Sequence, residues 1–221
     1  MNEVETFFDY IRAGDLARVV AGLERDPALA SARNASGVSA VLFAVYSGRC
    51  EIRDLLLARG AELQLHDAAA AGDLAGLQEL LASSPSGACA FSPDGFPVVA
   101  LAAVFGHLKV VQFLASRGAD INAVSSNGTG YTALTGAVAS GHLAIVDWLL
   151  QNGADPNYRY AAGYSPLLTA AANGHLEIVK LLVSAGADLT AATSDGKSAT
   201  ALATERNHPE VVTFLKSRSA T

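Results

Sequence analysis

The sequence predicts an all-α solenoid, a single row of stacked helix pairs. Three observations point to it. The string GHLKVVQFLASRGADINA at Gly106–Ala123 returns as GHLAIVDWLLQNGADPNY at Gly141–Tyr158 and again as GHLEIVKLLVSAGADLTA at Gly174–Ala191. The leading glycines are 35 and 33 residues apart (141 − 106 and 174 − 141), a period that belongs to stacked repeat architectures. Hydrophobic residues make up 51% of the chain and aromatics only 7%, so alanine supplies much of the apolar surface, as closely packed helices require. Two short helices per period cannot cover their own apolar faces, and stacking on neighbours is their route to burial.

The unit at Gly163–Ala191 shows the local logic. Gly163 offers a turn. Ser165 reads as an N-cap, with Pro166 at the first helical position, where a missing N–H costs nothing. The helix that follows buries Leu167, Ala170 and Ala171. Gly174 stops it, since glycine tolerates the left-handed conformation of a C-cap. His175 opens a second run in which Leu176, Val179, Leu181 and Leu182 recur at helical spacing, and Gly186-Ala187-Asp188 ends that run.

The frame G-x-[TS]-P-L-x-x-A-A-x-x-G-H-L-x-x-V-x-x-L-L-x-x-G-A-D resembles the ankyrin repeat. The resemblance implies that the extended segment between units forms a β-hairpin finger beside the first helix. It also implies that fingers and first helices line a concave face, with second helices on the convex back.

Laid over the chain, the frame gives seven units in one domain over residues 1–221, at approximately 4–33, 34–62, 63–91, 92–123, 124–157, 158–190 and 191–221. The marker positions are Gly14, Gly48, Gly72, Gly106, Gly141, Gly174 and Asn207, at intervals of 34, 24, 34, 35, 33 and 33. One interval is short. Between Gly60-Ala61-Glu62 and a helix expected around Leu65–Ala71 there is no room for a finger, so a gap in the finger row is expected there. Unit one (Ala13–Pro27) resembles unit three (Ala71–Pro85) at an offset of 58, and 21 residues separate Pro27 from Gly48 and Pro85 from Gly106. Units one and two therefore read as a copy of units three and four, which puts a starting-type unit in the interior. At the ends, Glu3, Glu5, Asp9 and Arg12, and Lys197, Glu205, Arg206, Lys216 and Arg218, are placed to solvate the outer faces. Pro209 sits near the start of the last helix. The finger at Ala123–Tyr131 is two residues longer than its counterparts and should protrude or bulge.

Composition narrows the function classes. The net charge of −6 does not draw the chain to phosphate backbones or anionic lipid, so neither nucleic acid nor membrane is expected as a partner. The N-terminal stretch carries Glu3 and Glu5 and lacks a basic start and an apolar run, so no secretory signal is expected. The uncharged run Ile121–Val146 is full of Asn, Ser, Thr and Gly and does not read as a span. Cys50 and Cys89 then read as free thiols in a reducing compartment, and the expected location is cytoplasmic. Without secretion, the glycosylation triplets at Asn34 and Asn127 mean nothing.

Candidate chemistry is sparse. His107, His142, His175 and His208 share one frame position. Stacked helices lie roughly 8–10 Å apart, too far for equivalent side chains to share an ion with ligands at about 2 Å. A structural role, bonding backbone at the helix junction, is expected for them and for His66, which falls where the family's Thr-Pro-Leu-His motif carries its histidine. Gly128-Thr129-Gly130-Tyr131-Thr132-Ala133 matches G-x-G-x-x-A literally, but no strand leads in and no βαβ unit surrounds it; it reads as a finger tip. Asp120, Asp155 and Asp188 are turn residues that bond nearby backbone. No G-x-S-x-G elbow is present. No catalytic residue, cofactor or metal is expected, and an enzyme is not the expected reading.

What remains is aromatic. By the resemblance, the finger position before the helix cap and the last two residues of each first helix face the concave side. Those slots hold Val38, Tyr46 and Ser47; Phe96, Val104 and Phe105; Tyr131 and Ser140; Tyr164 and Asn173; and Lys197, Glu205 and Arg206. Five of the 15 Phe, Tyr and Trp residues fall there: Tyr46, Phe96, Phe105, Tyr131 and Tyr164. Aromatic side chains supply large contact area at low entropic cost and mark binding patches, although each can also simply pack on the adjacent finger. Tyr158, Arg159 and Tyr160 add a cationic and aromatic finger tip. Trp148, on a second helix, reads as core or convex surface. The expected function is a protein–protein interaction module, an adaptor, scaffold or inhibitor, that docks another protein on its concave face. The alternatives are a small-molecule-binding or hydrolytic enzyme using the concave groove, and a self-associating structural protein.

Overall fold

The structure, a computed structural model, describes residues 3–219. Fourteen α-helices follow one another among them as seven pairs: α1 (Glu3–Ala13) and α2 (Leu16–Arg25), α3 (Ala40–Tyr46) and α4 (Cys50–Ala58), α5 (Leu65–Ala71) and α6 (Leu74–Ser83), α7 (Val98–Val104) and α8 (Leu108–Ser116), α9 (Ala133–Ala139) and α10 (Leu143–Gln151), α11 (Pro166–Ala172) and α12 (Leu176–Ser184), α13 (Ala199–Glu205) and α14 (Pro209–Ser219). β structure among the described residues is confined to isolated bridges at the finger bases. The first helices of successive pairs pack against one another more closely than the second helices do, so the row curves with the first helices inside.

Local sequence explains each pair. Ser39, Thr132, Ser165 and Ser198 cap first helices by accepting from the backbone N–H three residues on, and all seven residues of α11 are buried. The marker residues end the first helices in the left-handed region, where Asn207 (φ 59°) takes the place of glycine because asparagine tolerates it. After α8, α10 and α12, Asp120, Asp155 and Asp188 accept from the N–H two residues on, at 2.8–2.9 Å. Asn122 and Asn157 tie these turns to the next unit by donating to the carbonyls of Gly153 and Gly186.

Successive pairs are also clamped across the row. His107, His142 and His208 donate Nε2–H to the carbonyls of Ala70, Val104 and Ala172, at 3.0, 2.9 and 3.1 Å. In each case the acceptor lies two residues before the preceding unit's marker, and a carbonyl can only accept, which fixes the tautomer. Burial holds His107 below the usual histidine range, so the neutral ring is favoured. Arg49 does the same job from the second unit, donating to the Arg12 carbonyl at 2.8 Å. At the sixth unit the corresponding carbonyl, that of Ala139, accepts from Asn173 Nδ2 at 3.2 Å. A Cβ on Gly72 would lie 2.4 Å from His107 Nδ1, at φ +79°, whereas Gly60, at φ +76°, has nothing within 4 Å. Gly60→Ala is therefore expected to cost about 1–2 kcal/mol of backbone strain. Gly72→Ala should cost about 2–4 kcal/mol, because the clamp goes too; urea midpoints of the two variants check this.

The third pair departs from the pattern. Fingers close by backbone bonds between Asn34 and Val38, Ser92 and Phe96, Ser125 and Tyr131, Tyr160 and Tyr164, and Thr193 and Lys197. The Ser125–Tyr131 finger is the longer one, as expected, and α5 is entered from α4 without any finger. Asp15 and Asp73 both cap the second helix of their own unit; a 3₁₀ turn follows α2 at Pro27–Ser31 and α6 at Pro85–Cys89, so units one and three fold alike. Asp73 thus occupies the clamp position without reaching the preceding unit. The buried core breaks at the same place, into one cluster from Phe7 to Leu56 and another from Ala68 to Leu215.

Two arrangements span the break. Val38 and Leu42 pack with Ala70 and Leu101 over the small side chains of α5. Val38 is only 6% exposed, which removes it from the surface slots where the repeat frame put it. The other arrangement is a buried carboxylate, Asp67, fully out of solvent. It accepts from Arg33 Nη2 at 3.1 Å, the Ser39 hydroxyl at 2.7 Å and the Gln64 N–H at 2.8 Å. The expected gap in the finger row is closed at its tips: a Cβ on Gly37 would lie 3.5 Å from Pro93 Cβ. Ser126 and Ser194 donate their N–H groups to the finger before them at 2.8 Å. Pro93 holds the equivalent place without an N–H, and the Gly37 carbonyl instead accepts from Arg33 Nη1 at 3.1 Å. His66 departs from its expected backbone bond. Its Nε2 is buried without a hydrogen-bond partner among the described residues, 3.4 Å from Asp67 Oδ1, and burial holds the imidazole below the usual range.

Candidate functional site

The inner face is built where the first helices end and the fingers begin. Its aromatic residues fall into two groups. Tyr46, at the end of α3, stacks on Phe105, just after α7, with ring centroids 5.9 Å apart and planes 27° apart. Phe96, Tyr131, Tyr160 and Tyr164 form a run across three successive fingers, with centroid spacings of 6.4, 5.6 and 6.3 Å. Such tilted pairs add roughly 0.5–1.5 kcal/mol each beyond their buried area, so the rings hold one another in place. Tyr46 is 38% exposed, while Phe96, Phe105, Tyr131, Tyr160 and Tyr164 are half-buried. Packing and accessibility coexist at the same rings.

The finger at Tyr158–Tyr160 divides. Tyr160 joins the run, and its phenol pairs with the Thr169 hydroxyl; burial raises its pKa above the ordinary tyrosine value. Tyr158 instead lies against Gly130, its hydroxyl 3.6 Å from where a Cβ there would stand. Arg159 donates to the Ala192 carbonyl of the next finger, so its guanidinium serves the stack and does not form a free cationic tip. Ser194 of that next finger donates to the Ala162 carbonyl, and Ala162 adopts φ 56° to present it.

One acidic group stands among the rings. The Asp94 carboxylate accepts from the Ser92 hydroxyl at 2.5 Å and lies beside the Tyr46 phenol. Burial, and then this carboxylate, hold that phenol well above the usual tyrosine range. An Asp-Gly turn gives no sequence signal that its carboxylate meets a tyrosine from two units away. Phe91 is also missing from the frame-based slots. It is 44% exposed and lines a groove of about 570 Å³ with Leu63, Leu65, His66, Leu80 and Pro93, beside the place where the third pair lacks a finger. Trp148, on α10, is half-buried beside Gln112 and Ile121 of the outer layer.

Groups that could act as bases or ligands are largely committed to the scaffold: three histidines to backbone carbonyls and the turn aspartates to backbone N–H groups. Among the described residues no three His, Cys, Asp or Glu side chains come together as metal ligands could, and no helix is long and apolar enough to cross a membrane.

Comparison with protein families gives the class. The family model for ankyrin repeats (3 copies) matches residues 65–160 and 158–221. The chain belongs to the ankyrin-repeat family, whose arrays are generally non-enzymatic modules of protein–protein interaction. No curated protein matches it.

Proposed function

We propose that the whole chain, including the two helix pairs ahead of the family match, is a seven-unit ankyrin domain that docks a partner protein on its concave face. The supporting observation is the run Phe96–Tyr131–Tyr160–Tyr164 across three neighbouring fingers, continued on the inner helices by Tyr46 and Phe105. Rings already held by packing and by the finger bonds need little ordering on binding, so the face acts as an adaptor, scaffold or inhibitor surface. The unpaired thiols of Cys50 and Cys89 agree with a cytoplasmic setting. The test is capture from a lysate of the source cells: the intact chain retains a protein that the Phe96→Ala, Phe105→Ala, Tyr131→Ala triple variant does not. Equal capture by both would remove the concave site.

A further inference from the structure

The chain itself shows what its second finger lacks. In the last finger the Thr193 hydroxyl bonds Asp195, and Lys197 Nζ answers that carboxylate at 3.8 Å and Glu205 at 2.8 Å. The finger at Ser92–Phe96 repeats the turn, with Ser92 bonding Asp94. Where the last finger has Lys197, however, this one has Phe96. No lysine or arginine lies within salt-bridge distance of Asp94 among the described residues. The other inner-face positions from the second to the sixth unit are uncharged: Ser47, Val104, Ser140 and Asn173 beside the aromatic rings. A carboxylate beside the Tyr46 phenol and in the same finger as Phe96, on a protein of net charge −6, is complementary to one kind of group, a cation that presents an apolar stem.

We propose that the concave face takes a basic side chain of the partner, with its cation against Asp94 and its stem on the Tyr46 and Phe96 rings. This rests on the concave docking reading and narrows it to a partner with an arginine or lysine in the docked segment. Arginine suits the place better, because its planar guanidinium stacks on rings while it bonds a carboxylate. Arg33, the nearest basic residue of the preceding finger, does not compete, since it is bound to buried Asp67 at 3.1 Å.

The test uses a Gly/Ser/Pro nonapeptide with one central arginine and the same peptide with citrulline, which has the same shape without the charge. Titration into the labelled full chain, followed by NMR, should shift the Tyr46, Asp94 and Phe96 resonances with the arginine peptide. The apparent affinity should be at least about 5-fold weaker with citrulline, and similarly weaker with arginine on Asp94→Asn, which keeps an acceptor for Ser92. Asp195→Asn, whose carboxylate already has its own lysine, should leave the titration unchanged. Equal response to the two peptides, no effect of Asp94→Asn, or no shift at these residues overturns the inference. If the triple aromatic variant still loses a captured protein in any of those cases, the concave reading stands and only the basic side chain falls.

Discussion

Asp67→Ala is expected to destabilise the array by about 3–5 kcal/mol, the range for removing one partner of a buried ion pair. The carboxylate is fully buried and receives three donors from three segments: Arg33 in a finger, Ser39 at the cap of α3 and Gln64 ahead of α5. Its loss leaves a half-buried guanidinium without its counter-ion and a buried hydroxyl without its acceptor, and both lie at the point where the core is divided and the inter-unit clamp is missing. Stability in a stacked array is carried by nearest-neighbour interfaces, so the damage should localise. Urea unfolding of Asp67→Ala should split into two steps, with hydrogen exchange in α5 accelerated first. Adding Arg33→Met should recover part of the loss, because the unpaired charge is then gone. A single cooperative transition with an unchanged midpoint would mean that this cluster does not hold the two halves together.

Replacing Phe96, Phe105 and Tyr131 together by alanine should weaken partner binding by on the order of 30-fold or more, the equivalent of about 2 kcal/mol for even one lost hot spot. The three rings belong to both aromatic groups, so the Tyr46–Phe105 stack is lost and the finger run is cut back to the Tyr160–Tyr164 pair. Some folding stability must go as well, since each ring pair contributes to packing. Much of that loss falls on exposed or half-buried positions, whereas the buried cluster from Ala68 to Leu215 is left whole. Far-UV circular dichroism should therefore be retained, and binding measured by titration calorimetry against the captured partner separates lost contact from lost fold.

The repeat made most of this fold readable. Serine and threonine caps, marker residues in the left-handed region and apolar runs at helical spacing dictate the helix pairs locally. Leu65–Ala71 therefore appears as a helix with the boundaries that the residues indicate. The short interval correctly placed a unit without a finger. It did not reveal that the flanking fingers meet, because that closure depends on the small side chains of α5 and on packing between Val38, Leu42 and Leu101, which are remote in sequence. The role of Asp67 is illegible in the sequence for a related reason. A carboxylate near a helix start reads as an ordinary cap until Arg33 arrives from 34 residues away. For the site, the frame marks aromatic positions at finger ends and helix ends but not which rings pack together. It could not separate Tyr160, which joins the run, from Tyr158, which does not, nor foresee that Arg159 is spent on the Ala192 carbonyl.

Hydrogen exchange by mass spectrometry on the chain with its captured partner bears most directly on the proposal that the inner face is the docking surface. Slowed exchange on complex formation should map to 91–105, 125–132 and 158–165, with the outer helices α8, α10 and α12 unchanged. Protection confined to those outer helices, with the three inner segments exchanging as in the free chain, would contradict it.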